Sequence, residues 1–62
     1  MTREEAIQEL QRVQTNVARV LSDVRADTLV SQKWRNARIN EYERRFEALT
    51  FAIEALEDLK ET

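Results

Sequence analysis

The first half of the chain carries a single stripe of apolar residues at helical spacing. Its members recur every three or four residues between residues 7 and 24, and the opposite side of this stretch is polar. At about 100° per residue the stripe spans an arc of roughly 140°. Thr2 and Glu5 have the spacing of a capping box at its start. We therefore predict an amphipathic helix over about residues 3–26, with apolar positions Ile7, Leu10, Val13, Val17, Val20, Leu21 and Val24.

The stripe fails after residue 24, and the chain has neither glycine nor proline with which to make a turn. Asp27, Thr28 and Ser31 are residue types that cap helices, and aspartate tolerates left-handed backbone better than most residues. We therefore place a turn at about residues 27–31. The alternative is one continuous helix, on the order of 90 Å long, with a polar interruption. We favour a hairpin because a compact fold buries more surface per residue.

A second stripe, with alternating spacings of three and four, predicts a second helix over about residues 32–60. Its positions are Ile39, Tyr42, Phe46, Leu49, Ile53 and Leu56. Together the two stripes predict an all-α fold in which a single domain, residues 1–62, forms a two-helix antiparallel hairpin. We expect this hairpin to assemble into an oligomeric helical bundle, for the reason given next.

The second helix has more apolar surface than one neighbour can cover. A further apolar set flanks its first stripe, so that its C-terminal half is apolar over about two-thirds of its circumference. One neighbour is helix one, and the other must then come from another chain. The alternative is that the alanines in this set are simply good helix formers on a half-exposed face. The predicted interface consists of Trp34, Ala48, Phe51, Ala52, Ala55 and Leu59, and Ala37 belongs to the same apolar set.

The composition of the chain also favours oligomerisation. A domain of about 60 residues hides only roughly 60% of its unfolded surface and usually needs disulfides, a metal or oligomerisation. The chain has no cysteine and no histidine, which leaves oligomerisation. Without a glycine loop or a nucleophile–base pair we predict no enzyme, no catalytic residue, no metal and no cofactor. We also expect a cytoplasmic protein, because nothing resembles a signal peptide or a membrane span.

Basic residues gather in the first half of the second helix, among aromatic ones. Guanidinium groups suit phosphates and aromatic rings suit bases, so this segment is a candidate site for a phosphate-containing ligand. The alternative is that its arginines pair with Glu41, Glu43 and Glu47, within the helix or across the oligomer. The candidate ligand residues are Lys33, Trp34, Arg35, Arg38, Tyr42 and Arg45, with Arg44 in the same cluster.

One resemblance to a known family rests on the second helix. Its run of Trp34, Tyr42, Phe46, Ala48-Leu49 and Ala52-Ile53 is similar to the second helix of small phage hairpin proteins. Those proteins act as anti-CBASS cyclic-nucleotide sponges, and one anti-Thoeris sponge family shares the hairpin. The resemblance covers about residues 5–55. This chain has Asn40 where the family tends to have threonine, and Arg45 where glycine is frequent.

The resemblance implies a multimer of hairpins, with a hexamer as the expected assembly, in the cytoplasm of a phage-infected host cell. Pockets between its protomers would capture cyclic di- or trinucleotides without cleaving them. Trp34 or Tyr42 would stack on a base while Lys33, Arg35, Arg38 and Arg45 meet phosphates.

Two other functions compete with this one. The first is a structural or adaptor hairpin whose activity is association alone. The second is an RNA-binding dimer similar in size to the plasmid ROP proteins. The net charge of −2 disfavours this second alternative.

Overall fold

A computed structural model of the chain describes residues 1–59. Helix α1 spans Arg3–Ala26 and helix α2 spans Gln32–Asp58. The two helices pack against each other lengthwise in a rod of about 50 × 14 × 13 Å. The predicted all-α hairpin of two packed helices is therefore confirmed. The last predicted residue of the second helix, residue 60, lies outside the described part of the chain.

A reciprocal pair of hydrogen bonds begins α1. The backbone N–H of Glu5 donates to Thr2 Oγ1 at 3.1 Å, and the backbone N–H of Thr2 donates to Glu5 Oε1 at 2.8 Å. This capping box satisfies two amides that have no partner within the helix. Glu4 adds a carboxylate at the positive end of the helix dipole.

Two extended residues make the break between the helices. Asp27 ends α1 with φ −79° and ψ 108°, and its Oδ1 accepts from the backbone N–H of Leu29 at 3.0 Å. Ser31 begins α2, where its hydroxyl oxygen accepts from the backbone N–H of Trp34 at 3.1 Å. No residue among 1–59 has a positive φ. The reversal therefore needs no glycine, and the left-handed tolerance of Asp27 is not used.

The contact between the helices is narrow. Leu21 of α1 and Ile53 of α2 are the two buried side chains of the described residues, and no polar side chain there is buried. Val13 and Val20 remain 44% and 38% exposed, although both belong to the apolar stripe of α1. An arc of about 140° is wider than one neighbouring helix covers. The other stripe positions are half-buried: Ile7, Leu10, Val17 and Val24 in α1 and Ile39, Tyr42, Phe46, Leu49 and Leu56 in α2.

Polar contacts join the helices along one broad side of the rod. Gln14 Nε2 donates to Thr50 Oγ1 at 2.5 Å, and Arg25 forms an ion pair with Glu43. We call the side with these four residues the polar side. Val13 and Val20 lie roughly 100–120° around α1 from Gln14, so they border the opposite broad side.

None of the described helices has both the length and the apolar content that a membrane span requires.

Candidate functional site

One face of α2 is apolar and largely exposed among residues 1–59. Phe51 is 75% exposed, Leu59 70% and Trp34 42%. By helical periodicity this face is centred roughly 140° around the helix from the stripe that packs on α1. We call it the outer face; it comprises Trp34, Ala37, Ala48, Phe51, Ala52, Ala55 and Leu59, of which Ala52 is half-buried and the rest are exposed.

A row of aromatic, basic and acidic side chains of α2 lies along one edge of the outer face. The Arg38 guanidinium lies 5.2 Å from the centroid of the Trp34 ring, and the Arg45 guanidinium lies 5.1 Å from that of Tyr42. Glu41 lies between the two arginines and pairs with Arg38 at 3.4 Å and with Arg45 at 2.6 Å. We call these five residues the arginine ladder.

Helical spacing explains the arginine ladder. Each of its four contacts joins residues that are three or four positions apart, a spacing that brings side chains together on one side of a helix. Two guanidinium groups share one carboxylate, so the ladder carries a net positive charge. Because Arg38, Glu41 and Arg45 are each about half exposed, water screens these pairs. Each pair is then worth at most about 1 kcal/mol.

The structure brings together only part of the predicted ligand set. Trp34, Arg38, Tyr42 and Arg45 lie in the arginine ladder, whereas Lys33 is about 100° around the helix from Trp34. Arg35 is half-buried, and helical periodicity places it on the same side of α2 as the inward-facing Ile53. Its Nε is buried and has no hydrogen-bond partner among residues 1–59.

A shallow depression on the outer side of α2 was missed by sequence reasoning. Small side chains at Ala37 and Ala48 form its two ends, and longer ones form its walls. Asn40 and Arg44 were not among the predicted site residues, although the small residues on either side of them were a signal. The depression is lined by Ala37, Asn40, Glu41, Arg44, Arg45 and Ala48.

Glu41 was likewise considered only as an ion-pair partner. Its position three residues after Arg38 and four before Arg45 was the signal that it would join them. Within residues 1–59, no group of three or more acidic, histidine or cysteine side chains is arranged to hold a metal ion.

Comparison of the chain with protein-family models, curated proteins and solved structures produced no match. The outer face, the arginine ladder and the depression are the features of the hairpin that bear on its function.

Proposed function

We propose that this hairpin is a non-catalytic binding protein that acts as a homo-oligomer, in which the outer face of α2 packs on other copies. The exposed outer face is the observation that carries the proposal. Phe51 and Leu59 are each at least 70% exposed and lie on one face of α2 with Trp34, and an exposed apolar face of this kind marks an interaction surface.

The energetics favour association. Burying one large apolar side chain stabilises by about 1.5–3 kcal/mol, and within residues 1–59 the hairpin fully buries only Leu21 and Ile53. A standard interface covers about 800 Å² of each partner. That would be roughly a sixth of the 4859 Å² that the hairpin exposes. Packing α2 on further copies thus supplies the second neighbour that a chain without disulfides needs.

Sedimentation equilibrium tests this proposal, because the mass of a single chain would contradict it. Phe51→Glu places a charge in the outer face and should shift the mass toward that of one chain or unfold the protein. Leu29→Glu is the matched control, since Leu29 is 96% exposed in the segment between the helices. The control should keep the wild-type mass. Equal masses for all three proteins would show that the outer face is not the interface.

We further propose that the ligand is a cyclic di- or trinucleotide, which the oligomer sequesters without cleaving it. The resemblance to phage sponge hairpins suggests this class, and the arginine ladder supports it. A guanidinium stacked on a ring keeps its N–H edge available for phosphate oxygens. Arg38 and Arg45 are both held in this way, beside Trp34 and Tyr42, and each also donates one N–H to Glu41.

A thermal-shift titration separates the ligand classes. A ligand that binds only the native state must raise the melting temperature. We expect a rise with a cyclic dinucleotide or a cyclic trinucleotide and none with a stem-loop RNA. No shift with either cyclic nucleotide at high excess would contradict the sponge, and a shift with RNA alone would favour the ROP-like alternative.

The structural or adaptor function is favoured by one specific observation. Glu41 already accepts from both arginines of the ladder, so the hairpin partly satisfies its own basic groups. In that function the ladder stiffens α2, and the oligomer forms with no response to any anionic ligand.

A further inference from the structure

Charge divides α2 into two halves of opposite sign. Residues 33–45 hold five basic and two acidic side chains, a net charge of +3. Residues 46–58 hold four acidic side chains and no basic one, a net charge of −4. Two such helices side by side in parallel would place like charges together, whereas an antiparallel pair would place opposite charges together.

Four charged residues on one flank of the outer face repeat this division with a symmetric spacing. Lys33 and Arg44 are eleven residues apart, as are Glu47 and Asp58. Eleven residues are close to three helical turns, so all four share a flank. Suppose that two copies of α2 lie antiparallel and cross at the point between residues 45 and 46. Lys33 of one copy then lies opposite Asp58 of the other, and Arg44 lies opposite Glu47. That point lies within one residue of the midpoint of α2.

All four of these side chains are exposed. Lys33, Arg44 and Glu47 form no ion pair with any other residue among 1–59. Among residues 1–59, the charges of Lys33, Arg44 and Glu47 therefore do not stabilise the hairpin through ion pairs.

The same antiparallel register places Phe51, the most exposed aromatic residue among 1–59, opposite the depression. It places Phe51 of one helix opposite Asn40 of the other, and Asn40 lies in the depression. Four of the lining residues have the spacing i, i+3, i+4, i+7 of the hole that receives a knob in helix packing. These residues are Ala37, Asn40, Glu41 and Arg44.

We propose that a second copy of this chain docks on the outer face with its α2 antiparallel, and that Phe51 of each copy enters the depression of the other. Lys33 then faces the partner's Asp58, and Arg44 faces the partner's Glu47. The proposal rests on the self-association proposed above and adds its direction and register.

Disulfide trapping tests the direction, because the chain has no cysteine of its own. Ala37→Cys and Ala55→Cys each alter an exposed alanine. The variants are mixed, with one labelled with ¹⁵N, and oxidised by diamide, which takes up the two electrons and two protons that the thiols release. Antiparallel docking places position 37 near the partner's position 55, so the mixed disulfide should dominate.

The single variants supply the controls. In an antiparallel pair of A37C chains, the two introduced thiols lie about 25 Å apart along the helices, too far for a disulfide. Strong disulfide-linked dimers of A37C alone would show parallel docking and overturn the proposal. An oligomer that forms neither disulfide would also overturn it, since α2 would not be the shared interface. A wild-type mass of one chain contradicts self-association itself, so the two failures are distinguishable.

Charge exchange tests the register. K33E/R44E makes the flank wholly acidic, and we expect the dissociation constant to rise by about tenfold or more at low salt. The fourfold variant K33E/R44E/E47K/D58K restores opposite charges in the antiparallel pair and should return the constant to near the wild-type value. If wild type, double and fourfold variants associate equally, the proposed register is wrong.

Discussion

Helices α1 and α2 differ in how many neighbours their apolar residues require. The apolar residues of α1 form one stripe, of which only the edge residues Val13 and Val20 remain more than a third exposed. Helix α2 has an inward stripe around Ile53 and also the outer face, on which Phe51 and Leu59 are largely exposed. The comparison shows that a helix with a wider apolar pattern leaves more apolar surface exposed when one helix packs on it.

The two helix starts differ as well. Helix α1 begins with a capping box and has Glu4 and Glu5 in its first turn. Helix α2 begins with a single side-chain hydrogen bond, which Ser31 Oγ accepts from the backbone N–H of Trp34, and it has no acidic residue in its first turn. The helix that carries the proposed interface therefore has the weaker start, and its stability depends more on packing.

The largest expected effect comes from breaking the inward contact of α2. Ile53→Ala should lower the free energy of unfolding by about 2–5 kcal/mol, because it leaves a cavity against α1. Urea unfolding at a fixed protein concentration measures this. Leu29→Ala, at a 96% exposed position, should change the same quantity by no more than about 0.5 kcal/mol. A loss below about 1 kcal/mol at Ile53 would show that the α1–α2 contact is not the main core.

The next effect tests the weaker start of α2. Ser31→Ala removes the acceptor for the Trp34 amide and should cost about 1 kcal/mol. Thermal unfolding followed by circular dichroism measures the loss. Thr28→Ala is the control, since no side-chain hydrogen bond of Thr28 occurs in the described residues. Equal losses for the two variants would contradict the assignment of Ser31 as the cap.

A smaller effect distinguishes the two functions of the arginine ladder. Glu41→Gln removes the carboxylate that Arg38 and Arg45 share, and should cost at most about 1 kcal/mol of stability. If the oligomer sequesters cyclic nucleotides, its affinity for them should rise, because both guanidinium groups are released. If it is an adaptor, titration calorimetry should detect no binding before or after the change. Glu54→Gln, at an exposed acid outside the ladder, should leave the affinity nearly unchanged.

The smallest effect concerns the start of α1. The pKa of the Glu4 carboxyl is lowered, first by a hydrogen bond from the backbone N–H of Glu4 itself and then by the neighbouring Arg3. Because the folded pKa lies below the unfolded one, the stabilisation is present above the unfolded pKa. It is lost as the pH falls through the folded pKa. Glu4→Gln should therefore slightly flatten the acid side of the stability profile, measured by melting temperature between neutral and acid pH. An unchanged slope would contradict this contribution.

Much of the fold could be predicted because it is set by local rules. The Thr2–Glu5 box and the period of the two stripes identify helices without any knowledge of tertiary contacts. The exposure of Val13 and Val20 could not be predicted in this way. It depends on how wide a strip of α1 the second helix covers, which only the packing decides.

The residues of the candidate site were only partly anticipated, since Asn40 and Glu41 were not among the predicted ligand residues. Trp34, Arg38, Tyr42 and Arg45 were expected near one ligand, and the structure places them in one ladder. Lys33 and Arg35 were expected there too, but single-residue steps turn them away from Trp34. The depression around Asn40 depends on which long side chains surround two alanines, and the packing of those side chains is not set by helical spacing.

By itself, the sequence determined that this chain is helical and that α2 has more apolar surface than α1 can cover, and it favoured a single reversal without glycine or proline over one continuous helix. These properties follow from periodicity and capping, which act over a few residues. Only the tertiary structure decided which broad side holds the polar contacts of Gln14 and Arg25, and that Glu41 joins the two ring-stacked arginines. It also decided that Phe51 stays 75% exposed. The physical reason is that periodicity determines which faces of a helix are apolar, whereas the packing of one helix on the other determines which of those faces are buried.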